Sequence, residues 1–114
     1  MDDSACTIRI LSADGATIRV AVDGEVDVED AIWLQPALIA LISPHVALIV
    51  DASNIGFFGP SAVSALLATR RAALKAGGTF TLERVPTHVR RVIAITGAEI
   101  LLGDNDAQDD TLPT

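Results

Sequence analysis

Hydrophobic and polar residues alternate over residues 6–11 and again over residues 16–22, which is typical of β-strands with one solvated face. Between the two segments lies Asp14-Gly15, a dipeptide that favours a tight turn. The chain is therefore predicted to begin with an antiparallel hairpin. Residues 24–27, which are mostly polar, are predicted to form a bend after it.

Residues 28–42 are predicted to form a helix with Asp27 as its N-cap. Pro36 falls inside this helix and is expected to kink or restart it. The segment, which includes Trp33, is apolar on nearly every side, whereas a surface helix has a polar stripe. Either the helix is covered internally, or one face contacts another protein, for example in a homodimer.

A continuous apolar run over residues 46–50 is typical of a strand that is buried on both faces, hence central and parallel to its neighbours. The later pattern predicts a helix over 60–76, a strand over 79–83, a helix from 85–86 to Gly97 and a strand over 100–102. The order β-β-α-β-α-β-α-β predicts one α/β domain, with a mixed sheet of about five strands and helices packed against it.

The 114 residues are enough for one domain, which is assigned to residues 6–103. Residues 1–5 are predicted to be a flexible N-terminus, and residues 104–114 an acidic, disordered tail. The apolar runs are far shorter than the ~18 residues of a membrane span. The start of the chain is acidic, unlike a secretory signal, so a cytoplasmic location is expected.

Acidic residues outnumber basic ones by 15 to 8, and the net charge of −7 argues against nucleic acid and anionic membranes as partners. Cys6 is the single cysteine, so no internal disulfide can form, which fits a reducing compartment. Cys6 is interpreted as a small residue of the first strand, and the alternative is an intermolecular redox role.

The stretch Asp51–Leu67 runs from the end of the predicted central strand into a helix. It therefore lies at the carboxyl ends of the strands, where ligand-binding and functional residues are found in open α/β folds. Gly59 is placed at the N-cap, Pro60 at N1 and Ser61 at N2. A helix N-terminus presents unpaired N–H groups and partial positive charge, and it accommodates phosphate well. Ser61 is therefore a candidate phosphorylation site.

A helical projection of residues 60–76 separates a core side from a flat outer side of small and basic residues. The core side carries Val63, Leu66, Leu67 and Leu74, and the outer side Ser61, Ser64, Ala65, Ala68, Arg71, Ala72 and Lys75. Small residues let another surface approach closely, so the outer side is a candidate contact surface.

The sequence contains none of the enzymatic motifs considered. It contains neither a nucleotide phosphate loop nor Gly-x-Ser-x-Gly, and His45, His88 and Cys6 do not have the spacing of a metal site. No catalytic residue, cofactor or metal is therefore expected. A phospho-accepting receiver domain would use Asp51, but it also needs a lysine after a later strand, and Lys75, the single lysine, lies in a helix. Asp51 is expected to cap its loop through backbone N–H groups.

The corner resembles the signature of STAS domains, the fold of bacterial anti-sigma factor antagonists. Five residues match that signature in register, and its second serine falls on Ser61; the five are Asp51, Ser53, Ile55, Phe57 and Phe58. Residues 24–27, 76–82 and 92–97 resemble other segments of the family. The chain departs from the signature at Gly59, Pro60 and Ala62, where the family has an acidic residue, a serine and a glycine.

The resemblance implies partner switching. The unphosphorylated domain would bind an anti-sigma factor of the serine-kinase type, and phosphorylation of Ser61 would release it. The alternative is a STAS-fold interaction or dimerisation module without a phospho-switch. The residues assigned to partner binding are Asp27, Gly59, Pro60, Ser61, Ser64, Ala65, Ala68 and Arg71.

Overall fold

The computed structural model describes residues 6–103, so the predicted flexible segment 1–5 and the predicted disordered tail 104–114 lie outside the described residues. The strands are β1 (Cys6–Ala13), β2 (Thr17–Val26), β3 (Ala47–Asp51), β4 (Ile55–Phe58) and β5 (Thr79–Glu83). The helices are α1 (Val28–Ile39), α2 (Pro60–Lys75) and α3 (Thr87–Ile95), followed by a short 3₁₀ helix, Glu99–Leu102.

The five strands form one mixed sheet in the order β1-β2-β3-β5, and β4 extends it by pairing with the end of β2. β1 and β2 form the predicted antiparallel hairpin, and the other pairs are parallel. β3 lies between β2 and β5, and Leu48 and Val50 on it are 1% and 0% exposed. The predicted mixed α/β fold and its buried inner strand are therefore confirmed.

The identity of the fifth strand differs from the prediction. Residues 100–102, predicted as a strand, form part of the 3₁₀ helix. The prediction was wrong because three apolar residues carry too little periodicity to distinguish a strand from a helical turn. The strand that the pattern missed is β4, which is only four residues long. Residues 24–26 are not a bend, since β2 continues to Val26 and there pairs with β4.

Helix α1 begins as predicted at Asp27, which forms a capping box with Asp30. The helix passes through Pro36 and ends at Ile39, three residues earlier than the pattern indicated. Leu34 and Leu38 lie in the core, and Trp33 packs against it, half-buried. Many of the apolar residues that surround this helix are therefore covered by the rest of the domain.

Helix α2 has the predicted start at Pro60, but its buried arc is wider than the projection indicated because the helix contacts both α1 and β5. Ala65, which the projection placed on the outer side, is only 1% exposed. Leu74, which it placed on the core side, is exposed. Thr69, one turn after Ala65, is also buried, and it donates its hydroxyl to the carbonyl of Ala65 at 2.8 Å.

The core lies between the helices and one face of the sheet. On β3 and β5 the core residues alternate with more exposed ones, and they are Leu48, Val50, Phe80 and Leu82. Cys6 at the start of β1 is also buried there. None of the helices within residues 6–103 combines the length and the apolar run needed to cross a bilayer.

Candidate partner-binding site

The loop after β3 is shaped by Asp51, whose carboxylate is almost buried. One of its oxygens accepts a hydrogen bond from the backbone N–H of Ser53 at 2.8 Å. The other lies 3.9 Å from the guanidinium of Arg84. Asp51 therefore caps the loop, as the sequence predicts, and the chain turns directly into β4.

Strand β4 is held against β2 by the side chain of Glu25. The backbone N–H of Phe57 donates a 2.8 Å hydrogen bond to Glu25 Oε1. A Cβ at Gly56 would meet the same carboxylate, so a larger residue there would displace the Glu25 side chain from this position. On the other side, His88 Nε2 lies 3.0 Å from the carbonyl oxygen of Ile55. These contacts fix the short strand that leads to Ser61.

The N-terminus of α2 has the arrangement that the sequence predicts, with Gly59 at the N-cap, Pro60 at N1 and Ser61 at N2. The N–H of Gly59 donates to the carbonyl of Val26 at 3.1 Å, which ties the helix start to the end of β2. Gly59 has no side chain to cap the helix, and the first turn contains no acidic residue. The positive end of the helix dipole at Ser61 is thus not offset by a carboxylate of its own first turn.

A groove of about 210 Å³ lies between the first two turns of α1 and the first turn of α2. It is lined by Val28, Ala31, Ile32, Gln35, Ser61 and Ser64. On α1 the lining residues follow one another at the spacing of helical turns, and on α2 the two serines share the facing side. Ser61 is half-buried in this groove, and Ser64 is exposed.

Three large apolar side chains remain exposed around this groove and the helix start. The exposed fractions are 54% for Val28, 71% for Ile32 and 52% for Phe57. The Phe57 ring lies against Gly59, where its Cε2 atom would be 3.1 Å from any Cβ. The glycine that replaces the acidic residue of the resembled signature therefore leaves room for an exposed aromatic ring.

These side chains and the start of α2 form one surface, which is called the Ser61 surface below. It consists of Val28, Ile32, Phe57, Pro60, Ser61 and Ser64. Single exposed apolar residues are normal, but a group of them around a groove is typical of an interaction site.

The structure groups some of the predicted partner-binding residues and separates others. Pro60, Ser61 and Ser64 lie together on this surface, and Asp27 is exposed at the nearby start of α1. The side chain of Ala65 is in the core, so a partner cannot reach it. Arg71 is exposed, but it lies ten residues beyond Ser61, about 15 Å along the helix.

Sequence reasoning proposed a contact face on helix 28–42 but did not connect it with Ser61, and it assigned no partner contact to Phe57. The sequence did contain a signal for the α1 part of this surface. Val28, Ile32 and Gln35 recur at helical spacing, so they share one side of α1, and the two large apolar residues among them, Val28 and Ile32, lie outside the core. The pattern was hidden because core residues occupy most of the other sides of the same helix.

Titratable groups give no sign of catalysis in the described domain. Burial raises the pKa of the Cys6 thiol to about 11, which keeps it protonated and unreactive near neutral pH. The guanidinium of Arg9 lowers the pKa of Asp23 by hydrogen bonding between adjacent strands. Within residues 6–103, no group of three His, Cys, Asp or Glu side chains is arranged to hold a metal ion.

In a comparison with protein families, residues 10–103 match the family described as "Mlab, STAS domain". No curated protein matches the chain in a sequence search.

Among solved structures, the chain is similar to an anti-sigma factor antagonist from Mycobacterium paratuberculosis, at 29% identity and a TM-score of 0.70, covering 91% of this chain and 93% of that one. The unphosphorylated form of the anti-sigma factor antagonist SpoIIAA has 16% identity and a TM-score of 0.70, covering 91% and 95%. A STAS-domain antisigma-factor antagonist from Rhodobacter sphaeroides has 16% identity and a TM-score of 0.56, covering 75% and 100%. The last two likenesses concern the fold.

Proposed function

Since the chain belongs to the STAS domain family, we propose that it is a bacterial anti-sigma factor antagonist, which acts by binding an anti-sigma factor rather than by catalysis. The similar protein from Mycobacterium paratuberculosis is described by that role. The observation that carries the proposal is the Ser61 surface, where a serine at a helix start lines a groove beside exposed apolar side chains. The proposal places the protein in the cytoplasm, where sigma factors act.

Binding at this surface would derive its free energy mainly from the exposed apolar side chains. Covering Val28, Ile32 and Phe57 removes apolar area from water at about 25 cal/mol per Å². Ser61 and Ser64 are small, so the partner's backbone could approach the first turn of α2 closely. Phe57 is the best candidate for an anchor, because aromatic side chains dominate interface energetics.

Phosphorylation of Ser61 is the proposed off-switch, with an anti-sigma factor of the serine-kinase type as the partner. The kinase would transfer the γ-phosphoryl group of ATP to Ser61 Oγ and release ADP. The start of α2 favours a phosphate, since its dipole is not neutralised by any acidic residue in the first turn. In a closely packed interface the added charge is costly to desolvate, and 1.4 kcal/mol already changes binding about tenfold.

A second candidate is a STAS-fold interaction or dimerisation module without this switch. Gly59 and Pro60 favour it, because they replace the acidic residue and the serine that precede the phosphorylated serine in the resembled signature. The exposure of Ile32 is compatible with both candidates.

The decisive experiment compares wild type, Ser61→Ala and Ser61→Asp in binding to a serine-kinase-type anti-sigma factor. Under the switch, Ser61→Asp weakens binding at least tenfold at an unchanged melting temperature. Ser61→Ala binds like wild type but does not gain the mass of a phosphoryl group when incubated with ATP. The matched control is Ser43→Asp, which adds the same charge at a serine in the loop after α1.

Two outcomes separate the candidates. If both Ser61→Asp and fully phosphorylated protein bind like wild type, the switch is wrong and the module remains. If wild type binds no kinase-type anti-sigma factor, the antagonist role with this class of partner is wrong.

A further inference from the structure

A second groove lies away from the Ser61 surface, between α3 and the 3₁₀ helix. It has a volume of about 390 Å³ and is lined by Thr87, Arg90, Arg91, Ala94, Glu99 and Leu102. Its α3 residues follow one another at helical spacing, so they form one side of that helix. The apolar part of its lining, named the floor, consists of Ala94, which is exposed, and Leu102, which is 5% exposed. The basic part, named the wall, consists of Arg90 and Arg91.

The charges of the chain are divided between its parts. All eight Lys and Arg residues and nine of the fifteen acidic residues lie within residues 6–103, which gives the described domain a net charge of only −1. The segment 104–114 carries four aspartates and no Lys or Arg. It therefore holds more than half of the net charge of −7.

The composition of segment 104–114 matches the groove. Its aspartates, at positions 104, 106, 109 and 110, complement the two arginines of the groove wall. Leu112 is its one large apolar residue and is of a size to contact the apolar floor. Opposite charges on the two sides of a contact give specificity and direct their encounter.

The connection between the two is short. Leu102 lines the groove, and Gly103 joins it directly to Asp104. A segment of 11 residues spans at most about 36–40 Å, so it can reach every part of an adjacent groove. Such a short tether gives an effective concentration in the millimolar range, so a weak contact suffices for occupancy.

We propose that the groove between α3 and the 3₁₀ helix is an intramolecular docking site for the acidic segment 104–114. Carboxylates of the segment pair with Arg90 and Arg91, and Leu112 covers the apolar floor. Glu99 also lines the groove, and its negative charge limits how many aspartates can enter. Docking at this groove does not depend on the function proposed for the Ser61 surface.

The test uses the full chain carrying Gln108→Cys with a nitroxide label on the new thiol. Cys6 stays unlabelled because it is buried and its pKa is raised to about 11. Paramagnetic broadening of amide NMR signals is measured at 0.1 M and at 1 M salt, where the Debye lengths are about 10 Å and 3 Å. Docking broadens signals of residues 87–94 and 99–102 more than those of α1, and high salt reverses the broadening.

Charge variants identify the contact. Asp109→Asn with Asp110→Asn changes only the segment, and Arg90→Gln with Arg91→Gln changes only the groove. Each pair is expected to remove the broadening at α3. The control pair is Arg71→Gln with Lys75→Gln, which removes two exposed positive charges from α2 and leaves the broadening in place.

Three results would overturn the proposal. The first is broadening that is no stronger at the groove than on α1. The second is broadening that persists in both Asn and Gln pairs. The third is equal broadening in a mixture of labelled, ¹⁴N protein with unlabelled, ¹⁵N protein, which would make the occupant a second copy of the chain.

Discussion

The backbone N–H of Phe57 donates a hydrogen bond to the carboxylate of Glu25 at 2.8 Å, so an acidic residue of β2 fixes the strand that ends beside Ser61. The two residues are 32 positions apart in the chain. The contact connects the Gly-Glu-Val-Asp stretch, residues 24–27, to the corner at which the function is proposed. It gives that stretch a structural role in orienting the exposed Phe57 ring.

Replacement of Glu25 is expected to loosen this corner. Glu25→Ala leaves the N–H of Phe57 without its acceptor and costs about 1 kcal/mol. We expect faster hydrogen exchange at the Phe57 amide and weaker partner binding. Glu25→Gln is the control, because its side-chain oxygen can still accept the bond. Unchanged exchange in Glu25→Ala would show that β4 is held by its other contacts alone.

Two roles of Asp27, capping α1 and presenting a negative charge to a partner, can be tested separately. Its side chain caps α1, and its own N–H donates to Asp30 Oδ2 at 3.1 Å. Asp27→Ala is expected to lower stability by about 1 kcal/mol, whereas Asp27→Asn keeps the cap and changes stability little. The free energies of unfolding in urea measure both. If Asp27→Asn weakens partner binding without this loss, the charge itself contacts the partner.

Substitution of Ile32 tests for a homodimer through α1 better than substitution of Trp33 does. Because Trp33 packs against the core, a charge at Trp33 would disturb the fold, whereas Ile32 is 71% exposed. If α1 forms a dimer contact, light scattering at micromolar concentration shows more than a monomer for wild type. Ile32→Glu then gives a monomer with unchanged melting temperature. A wild-type monomer at every concentration would leave Ile32 to a different partner.

Cys6 is expected to react slowly and with a shifted pH dependence. Its pKa is raised from the usual value of 9.0 to about 11, mainly by burial and further by Asp30 and Asp23. At pH 8 the folded protein therefore contains about 100-fold less thiolate than the unfolded chain, and alkylation slows at least in that proportion.

The same shift predicts a loss of stability in alkali. Folding favours the protonated thiol, so the contribution is complete below pH 9 and is lost as the pH rises from 9 towards 11. Cys6→Ala removes this part of the pH dependence, although it also leaves a small cavity. Urea unfolding of both proteins at pH 7 and pH 10.5 measures the difference. Equal alkylation rates for folded and unfolded wild type would contradict the raised pKa of Cys6, on which both predictions depend.

The sequence by itself determined the elements that have a strong local signal. The hairpin followed from alternation around Asp14-Gly15, the buried β3 from its unbroken apolar run, and the start of α2 from Gly59-Pro60. Each depends on neighbours in the chain, whose period, capping and turn preferences are local physics. For the same reason the residues around Ser61 are sufficient to assign it to N2 of its helix.

Tertiary packing decided the rest. β4 exists because β2 continues to Val26 and offers it a partner, and four residues contain no period that could show this. Ala65 is buried because α2 is covered by α1 as well as by the sheet, whereas a helical projection assumes one covered side. The groove that places Ser61 beside Ile32 is a property of two helices together, and neither sequence segment contains it.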